Sequence, residues 1–209
     1  MTSGIQLQRV DRDLPALAVL ALLTRGPRHT YDMHRFMVDT RKDFVVGLPR
    51  SLYHAVDKLE RAGFVTQAGT EQSSGRPERV RYALTEAGTA ELRRRVSLLL
   101  ATPEPDATLF YAALSFMGVL GGEEALAALR ARVAGLDLQR ARLEGDLAAA
   151  EGVPRILLVE AEFERARLAA ERDWTAGLLA ELESGDLAWP DDLDELPPPL
   201  PQPAPPARD

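Results

Sequence analysis

The 209-residue chain contains no cysteine, which excludes disulfide frameworks, thiol catalysis and cysteine-based zinc sites. It also lacks long hydrophobic stretches: the longest apolar run, residues 14–23, is ten residues long, against the ~20 that span a bilayer. The polar N-terminus has no apolar core of the kind found in secretory signals. We therefore expect a cytoplasmic protein that does not enter a membrane.

Histidine is also scarce, and the three histidines, His29, His34 and His54, show no spacing typical of metal ligands. The sequence has no nucleophile elbow, no dinucleotide-binding glycine motif and no phosphate-binding loop. Acidic residues are frequent in the C-terminal half, but they alternate with arginines as on the solvated surface of a helix. These absences predict a protein that is not an enzyme and that needs no metal or other cofactor.

Charge is divided unevenly along the chain. Residues 1–101 carry 16 Lys+Arg and 11 Asp+Glu, a net charge of +5, whereas residues 102–209 carry 9 and 21, a net charge of −12. A basic half joined to an acidic half is typical of a protein that binds nucleic acid at one end. The simpler alternative is a chance fluctuation of charge along a chain rich in Arg and Glu.

The basic half has the element order helix, helix, helix, hairpin. Proline opens the first and third helices and glycine ends the third, which is the usual pairing at helix ends. The first three helices are predicted to begin at Leu14-Pro15, after a cap at Thr30, and at Pro49. Two strands follow at 64–68 and 80–84, joined by a loop at 69–77. A fourth helix over about 86–101 is capped by Thr85. This is the order of a winged helix-turn-helix domain, whose third helix enters the major groove of DNA.

The acidic half is predicted to be helical behind a hinge at residues 102–106, where two prolines prevent a continuous helix. Three helices are expected, over about 107–119, 123–151 and 155–184. The second has a heptad-like apolar seam. The stripe expected to be buried on the third consists of Val159, Phe163, Ala166, Ala170, Trp174, Leu178 and Leu182. A pair of such helices leaves apolar surface that a second copy of the chain would cover.

The predicted fold class is mainly α with a small β-hairpin. It combines a winged helix-turn-helix domain with a C-terminal, coiled-coil-like helical dimerisation domain. The tail holds eight prolines in twenty residues and no periodic apolar pattern, which predicts disorder. The expected boundaries are a flexible N-terminus at 1–13, the winged helix-turn-helix domain at 14–101, the dimerisation domain at 107–185 and the disordered tail at 190–209.

The third predicted helix separates apolar from charged residues. At 100° per residue, Leu52, Val56 and Leu59 cluster on one face, and the opposite face is polar. Arginine there can donate paired hydrogen bonds to guanine or to phosphate, while Asp57 either accepts from cytosine or repels phosphate. The candidate DNA-binding residues are Arg50, His54, Lys58 and Arg61 of this helix, Arg76, Arg79 and Arg81 of the wing, and Arg35 of the second helix.

Several of these segments resemble the PadR family of transcriptional regulators. They are residues 20–33 (LALLTRGPRHTYDM), 49–53 (PRSLY), 59–60 (LE), 63–65 (GFV), 74–77 (SGRP) and 81–88 (RYALTEAG). The resemblance implies a homodimeric repressor that binds double-stranded DNA and whose C-terminal helices make the dimer contacts. It further implies that Ser51 enters the groove and that Tyr53 contacts phosphate. Such a dimer predicts an operator that is an inverted repeat.

Two other hypotheses follow from the acidic half. One is a protein-interaction adaptor, in which the acidic helices bind a partner and the basic half is a rigid scaffold. An adaptor would favour apolar anchors on the third helix, where this chain has charged residues instead.

The other hypothesis is regulation by a small aromatic effector held between helices, although aromatic residues at helical spacing are also what a simple core contains. The candidate effector-binding residues are Phe110, Phe116, Phe163 and Trp174.

Overall fold

The computed structural model describes residues 6–40, 42, 44–45, 47, 49–71 and 79–189. Within them, residues 8–96 form one compact unit, here called the N-terminal unit, and residues 97–189, with residues 6 and 7, form the C-terminal unit. The predicted wing tip with Arg76 and the proline-rich tail lie outside the described residues. No helix in the described ranges is both long and apolar enough to cross a bilayer.

The first helix, α1 (Leu14–Leu23), is the central element of the N-terminal unit, because all but one of its residues are buried. Its start is fixed by Pro15 in the first turn and by Asp13, whose carboxylate accepts a hydrogen bond from the Ala16 amide at 3.1 Å. Helix α3 (Arg50–Arg61) packs against α1, and helix α2 (Thr30–Asp39) packs against α3. Charged residues are thus restricted to the outer surfaces of α2 and α3.

The sheet has three strands, one more than the sequence predicts. Strands β2 (Val65–Glu71) and β3 (Arg79–Leu84) form the expected antiparallel hairpin, with an irregular register between Gln67 and Thr70. Strand β1 (Arg28–His29) pairs with the other edge of β3. His29 Nδ1 donates to the Val80 carbonyl at 3.0 Å, and His29 is also the residue before α2. The predicted cap at Thr30 is therefore wrong by one residue, because pairing with β3 fixes the preceding residue instead.

The start of helix α4 (Glu86–Ala101) confirms the predicted cap at Thr85. The Thr85 hydroxyl accepts from the Gly88 amide at 3.0 Å and lies 2.8 Å from the Gly63 carbonyl, to which it donates. A Cβ atom on Gly88 would lie only 2.0 Å from the Phe64 carbonyl oxygen. Glycine at this position thus lets α4 approach the backbone just before β2.

Residues 8–13 follow a defined path instead of the flexible one expected from the sequence. The Asp11 side chain is 3% exposed and accepts hydrogen bonds from the Gln8 amide at 2.9 Å and from Arg94 Nη2, on α4, at 2.8 Å. Backbone bonds from Asp11 to Gln8 and from Asp13 to Val10 close two successive turns. We call residues 8–13 the N-terminal turn.

The C-terminal unit is helical, as predicted. Its elements are α5 (Ala107–Phe116) with a following 3-10 turn at Met117–Val119, α6 (Gly122–Ala149), a 3-10 turn at Arg155–Leu157, and α7 (Val159–Ser184). Asp106 caps α5 by accepting from the Thr108 amide at 3.0 Å. Gly185, with φ of 80°, ends α7 in the left-handed conformation that glycine adopts without strain. Helices α6 and α7 pack along each other.

A buried arginine organises the C-terminal unit. The Arg132 side chain on α6 is 1% exposed and contacts Glu171 of α7 through two nitrogens, at 2.6 and 2.9 Å. It also donates to the carbonyl oxygens of Leu99, Leu100 and Thr102, at 3.2, 3.3 and 2.9 Å. These carbonyls lie at and just after the end of α4, where a helix has no internal donors for them. Arg132 therefore ties α6 to both the end of α4 and α7.

The face of α7 that the structure buries differs from the predicted one. Leu168 and Thr175 are the buried residues of this helix, and Glu171 lies between them on the same side. Phe163 is 70% exposed and Trp174 is 54% exposed, although both belong to the predicted stripe. The bond from Arg132 turns the Glu171 face of α7 toward α6, so within one chain the predicted stripe is left exposed.

Candidate nucleic-acid interface

Helix α3 is amphipathic in the way that a groove-binding helix requires. Leu52, Ala55, Val56 and Leu59 are at most 4% exposed and hold its inner face against the unit. The residues on the outer face are exposed, and they are Arg50, His54, Asp57 and Arg61. This outer face carries three side chains that can donate to bases or phosphates and one acceptor.

Two predicted residues of α3 lie on the flanks of that face. Tyr53 is 51% exposed on one flank. Lys58 lies on the other, where its Nζ is 2.6 Å from Asp13 Oδ2 and its side chain is 55% exposed. No local pattern in the sequence indicates this ion pair, because the partners are 45 positions apart. An exposed pair of this kind contributes only about 0–1 kcal/mol, so Lys58 can exchange Asp13 for a phosphate at little cost.

Ser51 and Arg61 are less available than the other predicted residues of α3. The Ser51 hydroxyl oxygen is buried and has no hydrogen-bond partner among the described residues, so it points into the protein in this conformation. The Arg61 Nε donates to the Asp57 carbonyl of its own helix at 3.0 Å, while the rest of the side chain is exposed. Ser51 would need to rotate to contact DNA, whereas Arg61 would not.

The predicted residues outside α3 are spread over two elements. Arg81 on β3 donates through Nη2 to the Pro27 carbonyl at 2.9 Å. Arg35 on α2 is 72% exposed and lies 3.5 Å from Asp39. The backbone of Arg79 lies in β3 beside Glu71, and Arg76 falls outside the described residues. The side chain of Arg81 is thus engaged at the base of the wing, and that of Arg35 is exposed to solvent.

A surface pocket of about 310 Å³ lies between α3, the start of α2 and β3. Three tyrosines line it: Tyr31, Tyr53 and Tyr82. Burial raises the pKa of Tyr82, and the negative charges of Glu60 and Asp57 raise that pKa further, so its hydroxyl keeps its proton and stays a hydrogen-bond donor. Tyr31, 52% exposed, belongs to this surface although the sequence analysis did not select it. An aromatic residue in the first turn of α2, the helix before the recognition helix, was the available signal.

The comparison with protein families addresses this same part of the chain. Residues 19–94 match the sequence model of the transcriptional regulator PadR-like family. Over these residues, the chain belongs to the PadR-like family. It is therefore a DNA-binding transcriptional regulator, with the winged-helix fold that the sequence predicts. The matched segment contains α2, α3 and the hairpin, so the outer face of α3 lies within the part of the chain that matches the family.

Solved structures of PadR-like proteins also match the chain. PadR of Bacillus subtilis in complex with operator DNA is 22% identical, with 80% of this chain and 98% of that chain covered and a TM-score of 0.38. A PadR-like regulator from Bacillus cereus is 18% identical, with 82% and 99% covered and a TM-score of 0.36. PadR of Bacillus subtilis in complex with p-coumaric acid is 20% identical, with 81% and 99% covered and a TM-score of 0.35. No protein with a curated description matches the chain.

The aromatic residues that the sequence suggests for an effector are only partly brought together in this PadR-like protein. Phe110 and Trp174 meet edge to face, with ring centroids 6.1 Å apart, and the Arg132 guanidinium lies 3.5 Å from the centre of the Phe110 ring. Phe116 is buried on α5, and Phe163 is largely exposed on α7. Phe110 and Trp174 thus share one site, which has a buried cation beneath it.

Among the described residues, no three or more His, Asp or Glu side chains are placed to hold a metal ion.

Proposed function

We propose that the chain is a homodimeric, sequence-specific repressor that binds an inverted-repeat operator through α3. The observation that supports this proposal is the exposed outer face of α3, with Arg50, His54 and Arg61, within the DNA-binding segment of the family. Arginine at such a position discriminates guanine through paired bonds to O6 and N7. A dimer bound across a promoter represses by occluding it.

The homodimer is supported by apolar side chains that a single chain leaves exposed around the start of α7. Ile156, Leu157 and Phe163 are 74%, 65% and 70% exposed. Exposed large apolar side chains close together in the sequence are typical of an interaction site, and a second copy of the chain is the occupant that the proposal assigns to it. We expect the chain to run as a dimer in light scattering coupled to size exclusion, and Phe163→Asp to shift it toward monomer. Arg165→Asp, an exposed neighbour on the same helix, is the matched control.

The operator follows from the symmetry of a dimer. Two α3 helices would read major-groove faces one turn, ~34 Å, apart. Selection of bound sequences from a random duplex pool should therefore enrich two inverted half-sites at a fixed spacing. A single asymmetric motif, bound equally well by a variant that runs as a monomer, would contradict the dimeric reading. In vitro transcription from a promoter that carries the enriched motif should fall when the protein is added, and a rise would show an activator instead.

We further propose that binding of a small aromatic effector releases the protein from its operator. It is supported by Phe110 and Trp174, whose rings meet while Trp174 remains 54% exposed. A planar compound stacked there would lie near the Arg132 guanidinium, whose charge Glu171 already balances, so the proposal covers aromatic acids and amines alike. Calorimetry with matched aromatic acids and amines tests the idea. If no compound binds, or if the one that binds leaves operator affinity unchanged, this part of the proposal fails.

A further inference from the structure

A basic hollow of about 670 Å³ lies beside α3, on the flank opposite Tyr53. Its lining consists of Arg9, Val10, Arg12, Asp13, Pro15 and Lys58. Three of these side chains are cations and one is an anion, so the hollow keeps a net positive charge. Its lining from the N-terminal turn precedes residue 19, where the match to the family begins.

The N-terminal turn holds the arginines of this hollow on a fixed backbone. Asp11 is buried under the bond from Arg94, and its other carboxylate oxygen closes the turn at the Gln8 amide. Arg9 and Arg12 are exposed on either side of this buried anchor. A backbone that is ordered before binding loses less conformational freedom on contact with a ligand than a free terminus does.

The position of the hollow relative to α3 suggests its ligand. Successive helical residues turn by about 100°, so Lys58 and Tyr53 lie on opposite flanks of the outer face that carries Arg50, His54 and Arg61. A helix 10–12 Å across nearly fills a major groove ~12 Å wide, and its two flanks then face the two phosphate backbones that bound the groove. With α3 in the groove, the tyrosine pocket would face one backbone and the basic hollow the other.

We propose that the N-terminal turn is a second DNA contact, in which Arg9, Arg12 and Lys58 bind phosphates of the strand beside the groove that α3 enters. This inference rests on the proposed function, since it requires α3 to lie in the groove. The contact is to phosphate, so it adds affinity and fixes the orientation of the domain without reading sequence.

Asp13 forms an ion pair with Lys58, the third cation of this site. Its carboxylate is 2.6 Å from Lys58 Nζ and also caps α1. Asparagine caps a helix about as well as aspartate but carries no charge. Asp13→Asn therefore releases Lys58 for phosphate while keeping the start of α1, and we expect it to tighten DNA binding.

The test measures the affinity of the full-length chain for a fluorescently labelled duplex of mixed sequence as salt is raised from about 50 to about 200 mM. Each phosphate contact contributes about 0.9 to the slope of log affinity against log salt. We expect the double variant Arg9→Ala/Arg12→Ala to lose about 1.8 of that slope for each bound protomer. Arg130→Ala/Arg142→Ala, which removes the same two positive charges from exposed positions on α6, should keep the wild-type slope.

The outcomes separate this inference from the proposed function. If the wild-type chain shows no salt-dependent binding, the proposed function fails and the N-terminal contact fails with it. If the wild-type chain binds and Arg50→Ala weakens binding, but the double variant keeps the wild-type slope, only the N-terminal contact is refuted. If Asp13→Asn folds normally and binds no more tightly than the wild type, Lys58 is not part of the site and the proposal is wrong as stated.

Discussion

Arg132 is the single side chain whose loss should damage the C-terminal unit most. Its guanidinium makes two contacts to Glu171 and three to carbonyl oxygens at and just after the end of α4, and it also lies over the Phe110 ring at 3.5 Å. Burial lowers its pKa, while Glu171 acts in the opposite direction by favouring the charged form. The charge is therefore held by its partners and not by solvent, which makes the cluster sensitive to the loss of any one of them.

We expect Arg132→Met to lower the free energy of unfolding of this unit by about 3–5 kcal/mol. Methionine fills much of the volume, so the loss comes from the groups left behind. These are a carboxylate with 13% side-chain exposure and three carbonyl oxygens without their donor. Arg167 keeps its bond to the second Glu171 oxygen at 3.0 Å, which limits the cost to the middle of that range.

The assay is urea unfolding followed by tryptophan fluorescence at one fixed protein concentration. Both tryptophans of the chain, Trp174 and Trp189, lie in the C-terminal unit, so the signal reports on that unit alone. Arg130→Met is the matched control, because Arg130 is on the same helix and pairs with Glu183 while both side chains stay 42–51% exposed. Its expected cost is about 0.2–1 kcal/mol. If the two variants unfold at the same urea concentration, the cluster does not hold the unit together.

Three further predictions concern the N-terminal unit. Gly88→Ala forces a Cβ to within 2.0 Å of the carbonyl that precedes β2, so we expect a loss of at least about 1–3 kcal/mol in thermal unfolding followed by circular dichroism, and a neutral result would contradict the close approach. Hydrogen bonds from Arg94 and Arg95 hold the pKa of Glu91 below 4.5 in the folded chain. The stabilisation that Glu91 contributes is therefore complete above pH 4.5 and is lost as the pH falls through the lower, folded-state pKa. Glu91→Gln should flatten the dependence of the free energy of unfolding on pH in this acidic range, and an unchanged profile would exclude this role. Arg50→Ala should cost about 1–3 kcal/mol on the selected operator and relax preference at one base position, whereas an equal loss on all sequences would make Arg50 a phosphate contact.

Much of the fold could be predicted from the sequence because its helix ends carry local signals. Pro15, Pro49 and Thr85 mark helix starts that the structure keeps within a residue or so, and each acts within its own turn. Strand β1 could not be found in this way, because two residues have no period and their pairing depends on β3, about 50 positions later. The burial of α7 was missed for a related reason: a polar bond from another helix selected the face.

The candidate site likewise has a part that local sequence patterns predict and a part that they do not. The outer face of α3 follows from a helical wheel, since it needs only the residues of one helix, and Arg50, His54 and Arg61 lie where the wheel puts them. Ser51 shows the limit of this method, because a hydroxyl beside the buried face can turn inward, and its oxygen does so here.

The flank of α3 beyond Lys58 is the part of the site that no local pattern predicts. The sequence places Lys58 on the polar face of α3, as the structure does, but it places Asp13 in an N-terminus expected to be flexible. Only the folded chain brings the two together at 2.6 Å, and it thereby places Arg9 and Arg12 next to the recognition helix. One carboxylate thus serves as the helix cap and, through its ion pair with Lys58, as the link between the N-terminal turn and α3. Because Asp13→Asn removes the ion pair and keeps the cap, we expect it to alter DNA affinity with the fold intact.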